Sequence, residues 1–189
     1  MSRKNAAGSS ITNLIGMTPA MLPGNEAVIL EYPELGAETI SAGEMVSMSG
    51  AFGSRLGITP CGTDASGYGI WGVAADPASG AISSFMGVWL ASSDVIWEVN
   101  VNNATTSAAA QTGPLVLGKK YGLTTLSGMT YCDLAKTSAA TASCTVVGYN
   151  KQDDIPSFYG KVYVKLFGNK IQTHEYTNIS GHAIYNLKP

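Results

Sequence analysis

The stretch from Ser93 to Asn102 alternates between apolar and polar side chains with a period of two. One face of an extended chain carries Val95, Trp97, Val99 and Val101. The opposite face carries Ile96, Glu98, Asn100 and Asn102. Such alternation is typical of a β-strand that covers a core with one face and leaves the other in water. We therefore predict a strand whose polar face is largely exposed.

The same pattern of short strands recurs from residue 26 to residue 167. Further strands are predicted over Ala27–Leu30, Thr39–Ile40, Glu44–Met48, Ile70–Ala75, Ser84–Ala91, Tyr121–Thr125, Cys144–Asn150 and Lys161–Phe167. Gly and Pro residues separate these segments, as turns require. The best helical segment, Ala104–Gln111, contains residues of low helix propensity and is interpreted as a loop. The pattern predicts an all-β fold, either a compact β-barrel or a β-sandwich.

Three regions of the chain differ in composition. Residues 1–25 are predicted to form an extended N-terminal arm, residues 26–170 the β domain, and residues 171–189 a C-terminal edge strand or tail. The arm has too few apolar residues to build its own core, so it is either a terminus without fixed contacts or an arm that docks on a neighbouring subunit. Docking predicts intersubunit contacts at apolar residues of the arm and at two tyrosines of the tail: Ile11, Leu14, Ile15, Met17, Met21, Leu22, Tyr176 and Tyr185.

Charged residues make up only 13% of the chain, about half the usual share, which suits surfaces that other subunits cover. A net charge of −2 without a basic stripe predicts no nucleic-acid partner. No apolar run is long enough for a membrane span, and no signal peptide is recognised. Three widely spaced cysteines, Cys61, Cys132 and Cys144, predict reduced thiols in a cytoplasm, with a Cys132–Cys144 bridge as the alternative.

Motifs for catalysis or cofactor binding are weak. Residues 67–72 match G-x-G-x-x-G, but a dinucleotide site needs a helix after this motif, and Asp76-Pro77 interrupts the chain first. His174 and His182 lie in the tail, where a small hydrolase would have to find its base, and no nucleophile or zinc motif accompanies them. The sequence therefore predicts no enzyme activity, no cofactor and no metal site.

Four groups of segments follow one another between Ile40 and Phe167. They are Ile40–Val46 with Gly72–Gly80, Ser92–Val101, Leu117–Leu123 with Ser127–Asp133, and Cys144–Asn150 with Tyr159–Leu166. In their order and spacing they resemble the small all-β head-decoration, or capsid cement, proteins of tailed bacteriophages.

The resemblance implies a structural virion protein that binds the outer surface of the assembled phage capsid and cements neighbouring capsomers. Its partners would be the major capsid protein and further copies of itself, as a homotrimer or alternatively a dimer. It would be made in the host bacterial cytoplasm and lie on the capsid exterior. Two alternatives stand against this reading. One is a phage fibre or spike module that binds host carbohydrate through an exposed Trp71 or Trp89. The other is a small hydrolase that uses the C-terminal histidines.

Overall fold

A computed structural model describes residues 16–49, 56–62, 69–81, 84–103, 116–150 and 160–172. In chain order the strands are β1 (Thr18–Pro19), β2 (Ile29–Pro33), β3 (Met45–Ser49), β4 (Gly57–Pro60), β5 (Gly72–Ala74), β6 (Phe85–Leu90), β7 (Ile96–Asn102), β8 (Lys120–Leu126), β9 (Met129–Asp133), β10 (Cys144–Tyr149) and β11 (Lys161–Leu166). A short 3-10 helix follows at Gly168–Lys170. The predicted all-β fold is confirmed.

The first sheet contains six strands in the order β1-β7-β11-β10-β8-β9, and β7 also pairs with β9. These pairings form a ring from β7 through β11, β10, β8 and β9 back to β7, and we call this the closed sheet. Along β11, alternate residues are buried and fill the inside of the ring: Val162, Val164 and Leu166.

A tight hairpin joins β8 to β9. Leu126 pairs with Met129, so the loop contains only Ser127 and Gly128. Both loop residues have positive φ, 50° and 72°, as a two-residue turn that matches strand twist requires. Strand β9 was not predicted from the sequence, because the polar Thr130 and Asp133 interrupt the apolar pattern although both are buried.

The second sheet contains five strands in the order β2-β6-β5-β3-β4. Its two edge strands approach each other at one end, where Glu34 forms a parallel bridge with Ile58 and the Leu35 N–H donates to the Ile58 carbonyl at 3.1 Å. Strand β4 was also missed by the sequence, because it begins with Gly57 and ends with Pro60, residues more typical of turns.

Three strands of the second sheet are buried on both faces, and we call β3, β5 and β6 the middle layer. One face contributes Met45, Val73 and Trp89 to a large apolar cluster that also fills the closed sheet. The other face contributes Val46, Ala74 and Val88 to a smaller cluster. The Met45 N–H donates to Thr130 Oγ1 at 3.0 Å and so links β3 to β9.

Most predicted strands are present with boundaries shifted by a few residues. Two expectations differ: Thr39–Ile40 lies outside any strand, and the face of β7 opposite Trp97 is not largely wet. Asn100 on that face is buried, and Glu98 is mostly covered and forms a 2.8 Å ion pair with Lys161. Lys161 of β11 and Asn150, which follows β10, both bind the Glu98 carboxylate, and a single-strand pattern could not reveal these contacts. Segment Ala104–Gln111 lies outside the described residues.

Residues 17–25 belong to the β domain rather than to a separate arm, which corrects the boundary predicted at residue 25. Met17 is fully buried in the large cluster, and β1 pairs with β7. The Asn25 side chain donates to the Ile96 carbonyl at 2.8 Å and accepts from the Ile96 N–H at 2.7 Å. The Asn25 side chain thus makes the two hydrogen bonds that a paired strand would make with Ile96 at the start of β7.

Gly43 is expected to be essential for this arrangement. Its φ is +82°, and a side chain there would collide with Gly16, whose backbone crosses over it. Gly24 has a similar φ of +75° but open space around it. We expect Gly24→Ala to cost about 1–2 kcal/mol from backbone strain alone, and Gly43→Ala to cost clearly more. Urea unfolding measures both, and equal losses would contradict the packing argument.

Candidate functional site

The dinucleotide-like motif does not form a nucleotide site in the part that the structure describes. Gly72 begins β5, and the chain continues as a strand through Ala74 rather than as a helix. Among the described residues no group of three or more His, Cys, Asp or Glu side chains is placed to hold a metal ion. His174 and His182 lie outside those residues, as does the predicted tail from residue 173 onwards, whereas Ile171 at the start of that tail is buried in the large cluster.

All three cysteines are free and buried. Burial raises the pKa of Cys61 to about 12, and the nearby Glu44 carboxyl adds to the rise. A hydrogen bond with Cys144, together with burial, raises the pKa of Cys132 well above its ordinary value. A cysteine nucleophile needs a lowered pKa, so neither Cys61 nor Cys132 is activated.

One tryptophan is fully buried and the other two are partly buried. Trp97 is fully buried, Trp89 packs against the large cluster, and Trp71 packs against the smaller one. Trp71 also makes an edge-to-face contact with Tyr32, with ring centroids 5.6 Å apart. A sugar-binding platform needs an accessible aromatic face, so the carbohydrate alternative gains no support from Trp71 or Trp89.

The most unusual surface feature is a run of exposed apolar residues at the start of β2. Val28 is 59% exposed, Ile29 53% and Leu30 45%. Three consecutive apolar side chains cannot all face a core from a strand, and here none of them does. Exposed apolar edge strands promote association with other chains, so soluble proteins normally avoid them.

Backbone hydrogen bonds fix the direction in which each residue of β2 faces. The Leu90 N–H donates to the Val28 carbonyl at 2.9 Å, and the Glu34 N–H donates to the Ser84 carbonyl at 2.8 Å. Both bonds run towards β6. Because hydrogen bonding alternates along an antiparallel pair, every even-numbered residue of this segment directs its backbone groups to β6.

The odd-numbered residues of β2 face the opposite way. The N–H and C=O groups of Ile29 and Glu31 point to the outer edge of the sheet, and no described residue pairs with them there. Beyond Tyr32 the outer edge is covered by β4. The Leu35 N–H donates to the Ile58 carbonyl, and Gly57 lies so close to the Pro33 carbonyl that a side chain at Gly57 would contact it. We call the segment from Val28 to Glu31 the open edge, because no described residue pairs with its outer side.

The open edge is held in place by a buried carboxylate at the far end of β2. Glu34 is fully buried, and its Oε1 accepts from the Ser79 N–H at 2.8 Å and from the Ser79 hydroxyl at 2.9 Å. Its Oε2 accepts from the Gly80 N–H at 3.1 Å. These bonds satisfy the charge and fix β2 to the 76–80 loop. No sequence pattern indicated this role for Glu34.

A groove of about 440 Å³ lies beside the open edge. Val28 and Leu90 form part of its apolar lining, and Asn25, Glu26 and Asp94 form part of its polar lining. The groove is open to solvent and has both polar and apolar lining residues. It therefore adds to the exposed surface beside the open edge and is not an enclosed ligand site.

The predicted contact residues differ in their exposure. Met21 is fully exposed and Leu22 is half-buried, whereas Met17 is buried in the core of its own chain and cannot contact another subunit. Ile11, Leu14, Ile15, Tyr176 and Tyr185 lie outside the described residues. None of these positions marked the open edge, although Ala27–Leu30 was predicted as a strand.

Comparison with known proteins adds no relative: no family model, no curated protein and no solved structure matches this chain. Within the described ranges, no helix is both long and apolar enough to cross a membrane.

Removing the Glu34 carboxylate should weaken the support of β2. We expect Glu34→Ala to lower the free energy of unfolding by about 2–3 kcal/mol, because charged hydrogen bonds are lost at a buried position. Glu26→Ala removes an exposed carboxylate before the opposite end of β2 and is the matched control. Chemical denaturation measures both, and a loss no larger than that of the control would show that Glu34 does not anchor β2.

Glu44 is expected to make a pH-dependent contribution to the free energy of unfolding. This residue is buried and lies immediately before β3. Burial raises the pKa of this carboxyl, and the hydrogen bond from the Ser41 N–H, at 3.0 Å, partly offsets the rise. Because the pKa is higher in the folded state than in the unfolded state, the stabilisation is fully present below the ordinary Glu pKa. It is lost as the pH rises through the raised value.

Glu44→Gln keeps an oxygen acceptor for Ser41 but cannot ionise. As the pH rises from about 4.5 to about 7.5, the free energy of unfolding of the variant should therefore increase relative to that of the wild-type protein. Urea unfolding at both pH values measures this difference, and Glu26→Gln controls for removing one surface charge. A difference that does not change with pH would contradict the burial argument.

Proposed function

We propose that this chain is a structural virion protein that binds the outer surface of an assembled phage capsid and stabilises contacts between neighbouring capsomers. The observation that carries the proposal is the open edge of β2, an apolar strand edge whose outward backbone groups are not paired by any described residue. Such an edge is suited to forming a protein–protein interface rather than to chemistry on a small molecule.

Two further features support an assembly role. The chain resembles capsid decoration proteins in the order of segments from Ile40 to Phe167. Its low content of charged residues leaves neutral surface that can be covered without burying many ions.

The stabilising action follows from linkage between binding and assembly. A protein that binds the assembled lattice but not the free capsid subunits shifts the equilibrium towards the lattice. Its partners are the major capsid protein and further copies of itself, in a homotrimer or a dimer, and its place is the capsid exterior. Association of the copies adds avidity, since one bound copy holds the others close to their sites.

Purified protein should add to expanded phage shells that lack a decoration protein and should raise their melting temperature. Sedimentation measures occupancy, and calorimetry measures the shift. Unchanged melting at saturating protein, or no co-sedimentation, would contradict the proposed function.

A truncation tests the arm in the same assay. Residues 1–15 are the appropriate deletion, because a deletion to residue 25 would also remove Met17 from the core and β1 from the closed sheet. The truncated protein should occupy fewer sites at equal concentration, because Ile11, Leu14 and Ile15 are predicted contacts. Unchanged occupancy would exclude an arm contact while leaving the rest of the surface to be tested.

A further inference from the structure

We propose that two copies of this chain associate through their open edges, with β2 of one copy paired antiparallel to β2 of the other about a two-fold axis at Leu30. The proposal goes beyond capsid binding, since it concerns the protein alone and predicts a two-fold contact.

The backbone of the open edge is self-complementary. The outward N–H and C=O groups belong to Ile29 and Glu31, two residues apart, with Leu30 between them. With the axis at Leu30, Ile29 of each copy lies opposite Glu31 of the other. Each of these two residue pairs exchanges both of its hydrogen bonds, so that the four outward groups of each copy are satisfied.

The side chains fit the same register. On the face shared by even-numbered residues, Leu30 lies opposite Leu30 of the second copy, and Val28 lies opposite Tyr32. Leu30 occupies a non-hydrogen-bonded position, where Cα atoms approach to roughly 4.5 Å and side chains are closest. Val28 and Leu30 are among the most exposed apolar residues described, and pairing would cover them.

The charges exclude the register centred one residue later. An axis at Glu31 would place two carboxylates directly opposite each other, whereas an axis at Leu30 places each Glu31 opposite an apolar Ile29. An axis at Ile29 would require Ala27 to extend the strand. Ala27 instead packs against the large cluster and lies before the start of β2.

The closed end of β2 limits the pairing to one short stretch. Beyond Tyr32 the edge is occupied by β4, and Pro33 has no N–H to donate. A second copy is the occupant that this geometry fits, because a two-fold contact uses the same short stretch twice and requires no other segment. A contact this small should be weak and dependent on concentration in solution.

Charge substitution at Leu30 gives a direct test on the full-length protein without any shell present. Wild-type protein should sediment as a monomer–dimer equilibrium as its concentration rises. Leu30→Lys and Leu30→Glu each place like charges face to face and should weaken dimerisation by about tenfold or more. An equimolar mixture of the two variants should recover the dimer, because unlike charges then meet across the axis.

Leu126→Lys is the matched control. Leu126 is a leucine of similar exposure, 41%, at the end of β8 in the other sheet, and its substitution should leave dimerisation unchanged. Circular dichroism and thermal melting verify that each variant is folded.

A second variant keeps the test decisive if charges at Leu30 disturb folding. Glu31→Pro removes an N–H that points outward and is not used in the ladder with β6, so the fold should persist while dimerisation is lost. A wild-type protein that remains monomeric at several hundred micromolar, that forms trimers, or whose Lys and Glu variants fail to associate when mixed would overturn the proposal. Any of these results would leave shell binding, measured separately, as the test of the proposed function.

Discussion

The middle layer is the constraint on which the rest of this structure depends. Successive residues in β3 and β5 face opposite apolar clusters, so Met45 and Val73 serve one core while Val46 and Ala74 serve the other. Water cannot reach the backbone of a strand that is covered on both faces. Its N–H and C=O groups must therefore form hydrogen bonds with neighbouring strands on both edges. In the second sheet, β5 and β6 each lie between two strands, and the unpaired groups are displaced to the periphery. The open edge of β2 is a consequence of this arrangement.

The same constraint explains the close backbone approach within the layer. Gly72 begins β5 between β3 and β6, and a side chain there would lie against the Trp89 carbonyl and Val88 Cγ1. Glycine in a strand usually weakens it, but here it lets the neighbouring strand approach. Thr130 of β9 contacts the layer through its hydroxyl oxygen, which accepts from the Met45 N–H. These contacts make the two cores parts of one unit rather than two independent domains.

Charge is distributed unevenly between the two sheets. Between Asn5 and Gly118 the only basic residue in the sequence is Arg55, while Glu26, Glu31, Asp76 and Asp94 are acidic and exposed. Most lysines follow from residue 119 onwards, on or near strands of the closed sheet. An association at β2 therefore draws on backbone hydrogen bonds and apolar contact rather than on ion pairs. Salt should screen the repulsion between two acidic edges, unlike an interface held by opposite charges.

The sequence by itself determined the all-β class and the positions of most strands. The buried face of β7 follows from its alternation, since a period of two is a local property of the extended chain. Strands β4 and β9 were not predictable in this way, because their turn-forming or polar residues are accommodated by neighbours distant in sequence.

Only the tertiary structure decided which strands have two buried faces and which edge stays open. Val28 to Leu30 has the composition of a core strand, and nothing in those residues distinguishes a central position from an edge. Their exposure depends on the position of β2 at the edge of the second sheet and on the contact between Ile58 and Glu34. Glu34, Asn25 and Met17 acquired their roles in the same way, through partners far along the chain. Burial and pairing are properties of the assembled sheets, whereas strand propensity is a property of the local sequence.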